Sequence, residues 1–206
     1  MYKVLDDFCP KSFIDHTNII FDGPIPWSYE KTSTGFDDYQ KTVQMTEQIK
    51  ETTQFVHMLN DPTTQPSPVW EMIKPILYFV ELKTGITIEK IFRVKANLLL
   101  RDGSNTTQYN PPHIDAPNDD TISMVFYVND SDGNTRLFDK KAHQGATNLT
   151  VQKEVEPKAG RLFMFPSNVF HASSNPIKNV DRKVFNNAGK RSRNRLYINS
   201  YSSGKH

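Results

Sequence analysis

The C-terminal half of the chain, from about Ile91 onward, is a succession of short apolar or alternating segments. They read IFRVKANLLL, TISMVFYVND, TRLFDK, TNLTVQ, RLFMFP and RLYINSY, and Asn, Asp, Gly and Pro residues lie between them. Those four residue types favour turns, and alternating apolar runs of this length favour strands. Many short strands in succession are typical of a sandwich or a barrel, so we expect a mainly β fold in this half.

The first ninety residues have apolar side chains near helical spacing instead. The segment DDYQKTVQMTEQIKETTQFVHMLND ends before Pro62, and it predicts one helix. The segment SPVWEMIKPILYFVELKTG contains Pro75 and ends at Gly85, and it predicts a second helix.

These patterns predict how the whole chain is organised. A chain of 206 residues is long enough for one domain with a substantial core. We therefore expect a single domain over residues 1–206. In it, a mainly helical N-terminal layer over 1–90 would cover a β core over 91–206.

The composition excludes some kinds of site and indicates a compartment. Cys9 is the only cysteine in the sequence, so an intrachain disulfide and a cysteine-based metal site are excluded. The N-terminus, MYKVLDDFCPKSF, carries charges where a secretion signal needs an apolar segment, and no later stretch is apolar enough to span a membrane. We expect a cytoplasmic protein with no membrane partner.

Positive charge is concentrated near the C-terminus. Residues 178–195 contain one acid, Asp181, and seven basic residues. The basic residues are Lys178, Arg182, Lys183, Lys190, Arg191, Arg193 and Arg195. Such runs are usually solvated surface, although a basic loop can also bind an anionic ligand or a polyanion. We interpret residues 176–193 as a basic loop inserted into the β core.

A pair of metal-binding residue types lies at the start of the β core. Residues two apart in a strand point to the same face, so His113 and Asp115 could hold one cation together. The third ligand could be His143, in a polar, turn-like stretch, or His171, on a short apolar strand, and we favour His171. Two histidines and a carboxylate suit a non-heme Fe(II) that keeps open positions, although Zn²⁺ accepts the same ligands.

An anion anchor is expected on the last strand. Arg195 opens RLYINSY, and an arginine beside a metal is suited to a bidentate contact with a carboxylate. The competing interpretation is that Arg195 is only the last cation of a solvated loop.

Four motifs together resemble a known family. YNPPHID, ISMVFYVNDSDGNTRLFD, KAGRLFMFPSNVFHASSNP and RLYINSY occur in this order, with 56 residues from Asp115 to His171. In this order they resemble the 2-oxoglutarate and Fe(II)-dependent dioxygenases, in particular the prolyl-4-hydroxylase-like branch and its small bacterial and phage members. The resemblance covers about residues 93–201 and implies a double-stranded β-helix, a cupin-like jelly-roll barrel with the metal in its mouth.

The resemblance also implies roles for individual residues. His113, Asp115 and His171 match the Fe(II) ligands of the family, which are its catalytic centre. Arg195 matches the basic residue that binds the distal carboxylate of 2-oxoglutarate. Further candidate contacts to this cosubstrate are Asn97, Tyr109 and Tyr127.

The position of the basic anchor departs from the family pattern. In the family this residue follows the distal histidine more closely, whereas Arg195 lies 24 residues beyond His171. Arg182, at eleven residues, fits that spacing better, but its surroundings resemble a loop. We therefore prefer Arg195, with Arg182 and Arg193 as alternatives.

The implied activity is hydroxylation of a C–H bond, with O₂ as a second cosubstrate, succinate and CO₂ as products and ascorbate as a candidate reductant. The carboxylate of Asp115 favours hydroxylation, because related halogenating enzymes lack this ligand. A peptidyl or free amino-acid substrate is expected from the resemblance. Two alternatives stay open, namely a nucleic-acid-modifying oxygenase that uses the basic loop as a clamp and a metal-binding jelly-roll protein without turnover.

Overall fold

The computed structural model describes residues 2–34, 43, 45–102, 107–178, 181–192 and 195–198, with side chains described as far as residue 186. This part of the chain forms eleven strands, three α-helices and one short 3-10 helix, Ala142–Gln144. In chain order the strands and α-helices are β1 (Lys3–Leu5), α1 (Lys11–Asp22), β2 (Ser28–Glu30), β3 (Gln54–Asn60), α2 (Pro68–Ile73), α3 (Ile76–Thr84), β4 (Thr87–Leu99), β5 (Thr121–Tyr127), β6 (Thr135–Lys141), β7 (Val151–Val155), β8 (Leu162–Pro166), β9 (Val169–Ser173), β10 (Arg182–Ser192) and β11 (Arg195–Ile198).

Eight strands form one large sheet in the order β1-β8-β5-β10-β11-β4-β3-β2, in which β10 also pairs directly with β4. Strand β10 is antiparallel to both β5 and β4, and Val184 lies opposite Tyr127 on one side and Asn97 on the other. Because paired residues point to the same face, this register places the side chains of Asn97, Val184 and Tyr127 in one row across the sheet.

The remaining strands form a smaller antiparallel sheet in the order β7-β6-β9. An apolar cluster joins the two sheets, because Leu137, Val155 and Val169 of the small sheet pack with Val125 and Phe163 of the large one. The opposite face of the large sheet packs against the helices in a second, larger cluster. The large sheet is antiparallel except for the β11–β4 pair, and two sheets with an apolar layer between them provide a rigid frame for side chains that point inward.

The second predicted helix is present, but it is interrupted. Helix α2 ends at Ile73 and α3 begins at Ile76, because Pro75 has no backbone N–H to donate within a continuous helix. Gly85 follows α3 with φ +68°, a left-handed conformation that glycine adopts without steric cost. None of the helices in the described residues is long and apolar enough to cross a membrane.

The first predicted helix is wrong where the structure describes it. Residues 54–60 form β3, which pairs with β4 from Phe55 opposite Leu98 to Asn60 opposite Val94. The apolar spacing of Phe55, Val56 and Leu59 fits both a helix and a strand, and pairing with a long neighbouring strand decides between them. Residues 1–90 therefore contain short strands as well as helices.

The prediction of an inserted basic loop over 176–193 is also wrong, because most of this range is strand β10 in the interior of the large sheet. Its side chains alternate between the two faces of the sheet. Val184 packs between the two sheets, while Phe185 packs against the helical layer. The long aliphatic stem of Lys183 lies half-buried and its ammonium forms an ion pair with Asp22 of α1. The cations that suggested a loop are thus compatible with a strand.

Candidate metal centre

Backbone hydrogen bonds fix the positions of His113, Asp115 and His171. His113 and His171 form an isolated antiparallel bridge, in which the N–H of each donates to the carbonyl of the other at 2.9 Å. The N–H of Asp115 donates to the carbonyl of Ser167, also at 2.9 Å, in the turn between β8 and β9. The segment that carries two of the candidate ligands is therefore tied to the strand that carries the third.

The three side chains converge on one point. One candidate ligand atom from each residue lies within 4.8 Å of the others, and no second such cluster of His, Cys, Asp or Glu occurs in the part of the chain that the structure describes. The Nε2 atoms of His113 and His171 lie 4.0 and 3.6 Å from the carboxylate oxygens of Asp115. The prediction that His171 rather than His143 completes the set agrees with this geometry, since His143 is exposed in a turn after β6.

Neighbouring backbone groups orient the imidazole rings. Nδ1 of His171 lies 3.1 Å from the carbonyl of Val169, and Nδ1 of His113 lies 3.4 Å from the carbonyl of Pro111. When each Nδ1 carries the proton and donates it to a carbonyl, Nε2 keeps its lone pair for a metal. The donor set fits Fe(II), and it leaves the other coordination positions of an octahedral ion free for small ligands.

The charge states also suit a cation. Burial, together with the nearby His171, lowers the pKa of His113 to about 3, so this ring is neutral at physiological pH. Burial alone would raise the pKa of Asp115, but His171 and His113 and a hydrogen bond from the Ser123 hydroxyl outweigh it, so the pKa is lowered. A neutral imidazole and an ionised carboxylate are the forms that bind metals.

Polar side chains continue from the metal centre along the inner face of the large sheet, which faces the small sheet. We call them the polar strip, and they are Asn97, Tyr127, Arg182 and Asn186. Arg182, at the start of β10, is 3% exposed, and its Nη2 donates to the Thr135 hydroxyl at 2.6 Å. The Tyr127 hydroxyl donates to the same oxygen at 2.7 Å, and the guanidinium lies 5.8 Å from the Tyr127 ring centroid. Burial lowers the pKa of Arg182, although a guanidinium remains charged at any physiological pH.

Several polar atoms of this strip have no hydrogen-bond partner among the residues that the structure describes. Nε of Arg182, Oδ1 of Asn97 and Oδ1 of Asn186 are buried and accept or donate no hydrogen bond. No carboxylate among the described residues pairs with Arg182, whose side chain shares a strand face with Asn186. Unpaired buried polar groups are costly and uncommon, so their concentration on one face indicates a place for a polar ligand.

The remaining predicted residues lie elsewhere or outside the described part. Tyr109 does not join the strip, because it packs against Phe138 at 5.4 Å between ring centroids, in the cluster on the outer face of the small sheet. Arg195 begins β11 opposite Thr87, at the far end of β4 from Asn97, and its side chain lies outside the described residues, as does the whole of Arg193.

Sequence analysis missed four residues near the site, which are Arg93, Lys95, Ser123 and Asn186. A usable signal for the first two was present, because Arg93 and Lys95 alternate with apolar residues in step with Asn97 on the same predicted strand. Ser123 is similarly in step with Tyr127 on β5. Asn186 could not be found because its strand was interpreted as a loop.

Comparison with known proteins relates this region to a family of oxygenases. Residues 99–188 match the family model described as the 2OG-Fe(II) oxygenase superfamily, and this range contains the three converging ligands as well as Tyr127 and Arg182. No curated protein matches the sequence of the chain.

Solved structures show the same fold. An oxidoreductase of the 2OG-Fe(II) oxygenase family from Burkholderia pseudomallei aligns with a TM-score of 0.60 at 15% identity over 98% of this chain and 86% of that one. A prolyl-4-hydroxylase from Pseudomonas putida aligns with a TM-score of 0.52 at 14% identity, over 93% and 92%. A prolyl hydroxylase from Trichoplax adhaerens, in complex with a hypoxia-inducible-factor peptide fragment, aligns with a TM-score of 0.54 at 12% identity, over 96% and 82%. The predicted jelly-roll class with N-terminal helices is confirmed.

Proposed function

We propose that this chain hydroxylates a C–H bond of a primary substrate, because residues 99–188 match the 2OG-Fe(II) oxygenase superfamily, whose members use Fe(II) and 2-oxoglutarate. In the balanced reaction, 2-oxoglutarate, O₂ and R–H give succinate, CO₂ and R–OH. One oxygen atom of O₂ enters succinate and the other enters the product. The iron, when bound, supplies the oxidising chemistry, and the protein supplies binding and orientation.

The observation that carries the proposal is the convergence of His113, Asp115 and His171 within 4.8 Å, with both rings oriented by backbone carbonyls. Three protein ligands on one side of an octahedral ion leave room for a bidentate cosubstrate and for O₂. Asp115 supports hydroxylation, because a carboxylate in this position occupies the site that a halide would need in a halogenating enzyme.

Arg182 is the residue that we propose for the distal carboxylate of 2-oxoglutarate, in place of Arg195. It is a buried cation without an acidic partner in the described structure, and its Nε has no hydrogen-bond acceptor. A guanidinium binds a carboxylate through two parallel hydrogen bonds, which fixes both the position and the orientation of the anion. Tyr127 and Thr135 hold the guanidinium in place, and Asn97 offers a further polar contact.

Other groups of the chain keep the site ordered and dry. Ser123 donates to the Asp115 carboxylate and also contacts the Ser167 hydroxyl at 2.9 Å, so the carboxylate is oriented from the sheet. The Phe165 ring lies 4.6 Å from the His171 ring and shields it on one side. Such shielding limits the access of water to a site where reactive species must be confined to the substrate.

A peptidyl or free amino-acid substrate is part of the proposal. Two of the structurally similar proteins are prolyl hydroxylases, and one of them was solved with a peptide fragment. The alternative of a nucleic-acid clamp has lost its main support, because the range interpreted as an inserted basic loop contains β10 of the large sheet.

The first experiment records the visible absorption of the protein without oxygen while Fe(II) and then 2-oxoglutarate are added. We expect a weak charge-transfer band that requires both additions. Arg182→Met should raise the 2-oxoglutarate concentration that gives half of the maximal band intensity by at least about thirtyfold. This factor corresponds to about 2 kcal/mol of binding free energy for a lost buried charged contact. Lys183→Met is the matched control, since Lys183 is the next residue and points to the other face.

Two results would contradict parts of this proposal. A protein that binds iron but gives no band on addition of 2-oxoglutarate would not use this cosubstrate. If Arg195→Met weakens 2-oxoglutarate binding while Arg182→Met does not, and circular dichroism shows that both variants are folded, Arg195 is the anchor as the sequence suggested.

A further inference from the structure

Strand β4 places two cations on the same side of the large sheet as the polar strip. Lys95 lies opposite Asn186 of β10, which in turn lies opposite Val125 of β5. Arg93 lies one row further, level with Ser123, the residue that contacts Asp115. Arg93 and Lys95 therefore lie at the metal end of the strip, whereas Arg182 lies at its other end.

Both cations are close enough to the metal ligands to act on them electrostatically. Arg93 is among the groups that lower the pKa of Asp115, and Lys95 is among those that lower the pKa of His113. Burial, and then the charge of Arg93, lowers the pKa of Lys95 itself to about 8. The two side chains thus share a half-buried environment beside the ligands.

Neither cation has a direct partner in the part of the chain that the structure describes. No hydrogen bond or ion pair joins Arg93 or Lys95 to another residue within the described ranges. The acidic groups that act on them do so without a hydrogen bond or ion pair, namely Asp115 and Glu30 on Lys95, and Asp61 and Asp115 on Arg93. A half-buried cation without a partner is unfavourable for folding, so its presence on a strand face needs another explanation.

When Fe(II) and 2-oxoglutarate are bound, the charges of the site cancel without Arg93 and Lys95. Fe(II) with Asp115 and two neutral histidines carries one positive charge, and 2-oxoglutarate carries two negative charges. Arg182 adds one positive charge, so the proposed machinery is neutral as a whole. Arg93 and Lys95 are additional to this balance, and they lie at the end of the strip where the reacting bond must be placed.

We propose that Arg93 and Lys95 bind an anionic group, a carboxylate or a phosphate, of the primary substrate and so select acidic substrates. This inference rests on the proposed function, because it takes 2-oxoglutarate to occupy the Arg182 end of the strip. Arg93 and Lys95 then act as specificity-determining residues, since an uncharged analogue would leave two cations without a partner beside the metal.

The test uses protein saturated with Fe(II) and 2-oxoglutarate under anaerobic conditions. The charge-transfer band is followed, because a ligand bound beside the metal perturbs it. Three ligands are titrated separately: L-glutamate, inorganic phosphate and L-glutamine, which has the shape of glutamate but lacks the side-chain carboxylate. We expect glutamate or phosphate to perturb the band at a concentration at least about tenfold lower than glutamine does. A response to glutamate identifies a carboxylate as the anion, and a response to phosphate identifies a phosphate.

Variants assign the effect to the two cations. Lys95→Met and Arg93→Met should each abolish the preference for the anion, while Lys90→Met, which removes an exposed lysine of the same strand, should leave it unchanged. The proposal is overturned if no anion perturbs the band more than glutamine does, or if the preference survives in both variants. It is also overturned if Lys95→Met weakens 2-oxoglutarate binding instead, since Lys95 then belongs to the cosubstrate site. Absence of the band itself counts against the proposed function.

Discussion

Ser123, on β5 of the large sheet, places a single hydroxyl against a candidate metal ligand. It is 1% exposed and donates to the carboxylate of Asp115, which otherwise depends on its own backbone for orientation. Groups that orient metal ligands in this way typically change metal affinity by one to two orders of magnitude.

Ser123→Ala is therefore expected to weaken Fe(II) binding by about 10-fold or more, and circular dichroism checks that the variant is folded. Competition with a chromogenic chelator under anaerobic conditions measures the affinity. Ser28→Ala, on the exposed strand β2, is the control. An unchanged affinity in Ser123→Ala would mean that the backbone alone orients Asp115.

Lys95 should make the stability of the metal-free protein depend on pH. Its pKa is about 8 in the folded chain and near 10.5 when unperturbed, so the unfolded state binds more protons between these values. Stability therefore rises with pH across this window, and the destabilisation by Lys95 is complete below about pH 8.

Lys95→Met should accordingly raise the free energy of unfolding at pH 7 by about 1–3 kcal/mol, and by much less at pH 10.5. Urea denaturation of the wild type and the variant at both pH values measures this difference, and other titrating groups cancel between them. A variant that is equally or less stable at pH 7 would show that Lys95 is better solvated than its position suggests.

At the level of single residues, the candidate metal ligands could be predicted from the sequence, but the proposed anchor Arg182 could not. His113 and Asp115 follow from the two-residue period of a strand, and His171 from its place on an apolar strand. Arg182 fitted the spacing from His171 better than Arg195 did. The cations around it, however, made its strand resemble a loop. Tyr109 was misplaced because the sequence does not tell which face of the small sheet an aromatic side chain covers.

Among the elements, the strands that could not be predicted are those whose conformation depends on pairing with residues far away in the sequence. The runs around β5 and β8 are apolar enough to be found from local pattern, because both of their faces are buried. Strands β3 and β10 carry more polar side chains, and their pairing with β4 decides their conformation. A contact with a strand roughly 40 to 90 residues away is not visible in local periodicity.

The start of helix α2 depends on one side chain that serves two elements. The Ser67 hydroxyl accepts a hydrogen bond from the N–H of Val69 as the N-cap, and it lies 2.7 Å from Nε2 of buried His57 on β3. Loss of this hydroxyl would remove a cap and leave a buried ring nitrogen without a partner.

Ser67→Ala should therefore destabilise the fold by about 1–3 kcal/mol, whereas Ser67→Thr, which keeps the hydroxyl, should lose less than half of that. Chemical denaturation of both variants measures the two values. Equal losses in both variants would indicate that steric fit, rather than the hydroxyl, is what α2 and β3 require.

For the whole molecule, the proposed iron and 2-oxoglutarate sites both bridge the two sheets. His171 belongs to the small sheet, and Asp115 contacts Ser123 of the large sheet. Arg182 on the large sheet contacts Thr135 on the small one. A ligand that binds only the folded chain stabilises it by about 2.7 kcal/mol at 100 times its dissociation constant. We expect each ligand to hold the sheets together.

Differential scanning calorimetry without oxygen tests this expectation. Fe(II) should raise the Tm of the wild type by several degrees, and 2-oxoglutarate should raise it further only when Fe(II) is present. His171→Ala should lose both increments, and Arg182→Met should lose only the second. His143→Ala should keep both, because His143 is exposed and lies outside the converging cluster. If His143→Ala loses the iron increment while His171→Ala retains it, His143 and not His171 ligates the metal in solution, and the bridge between the sheets is not made by iron.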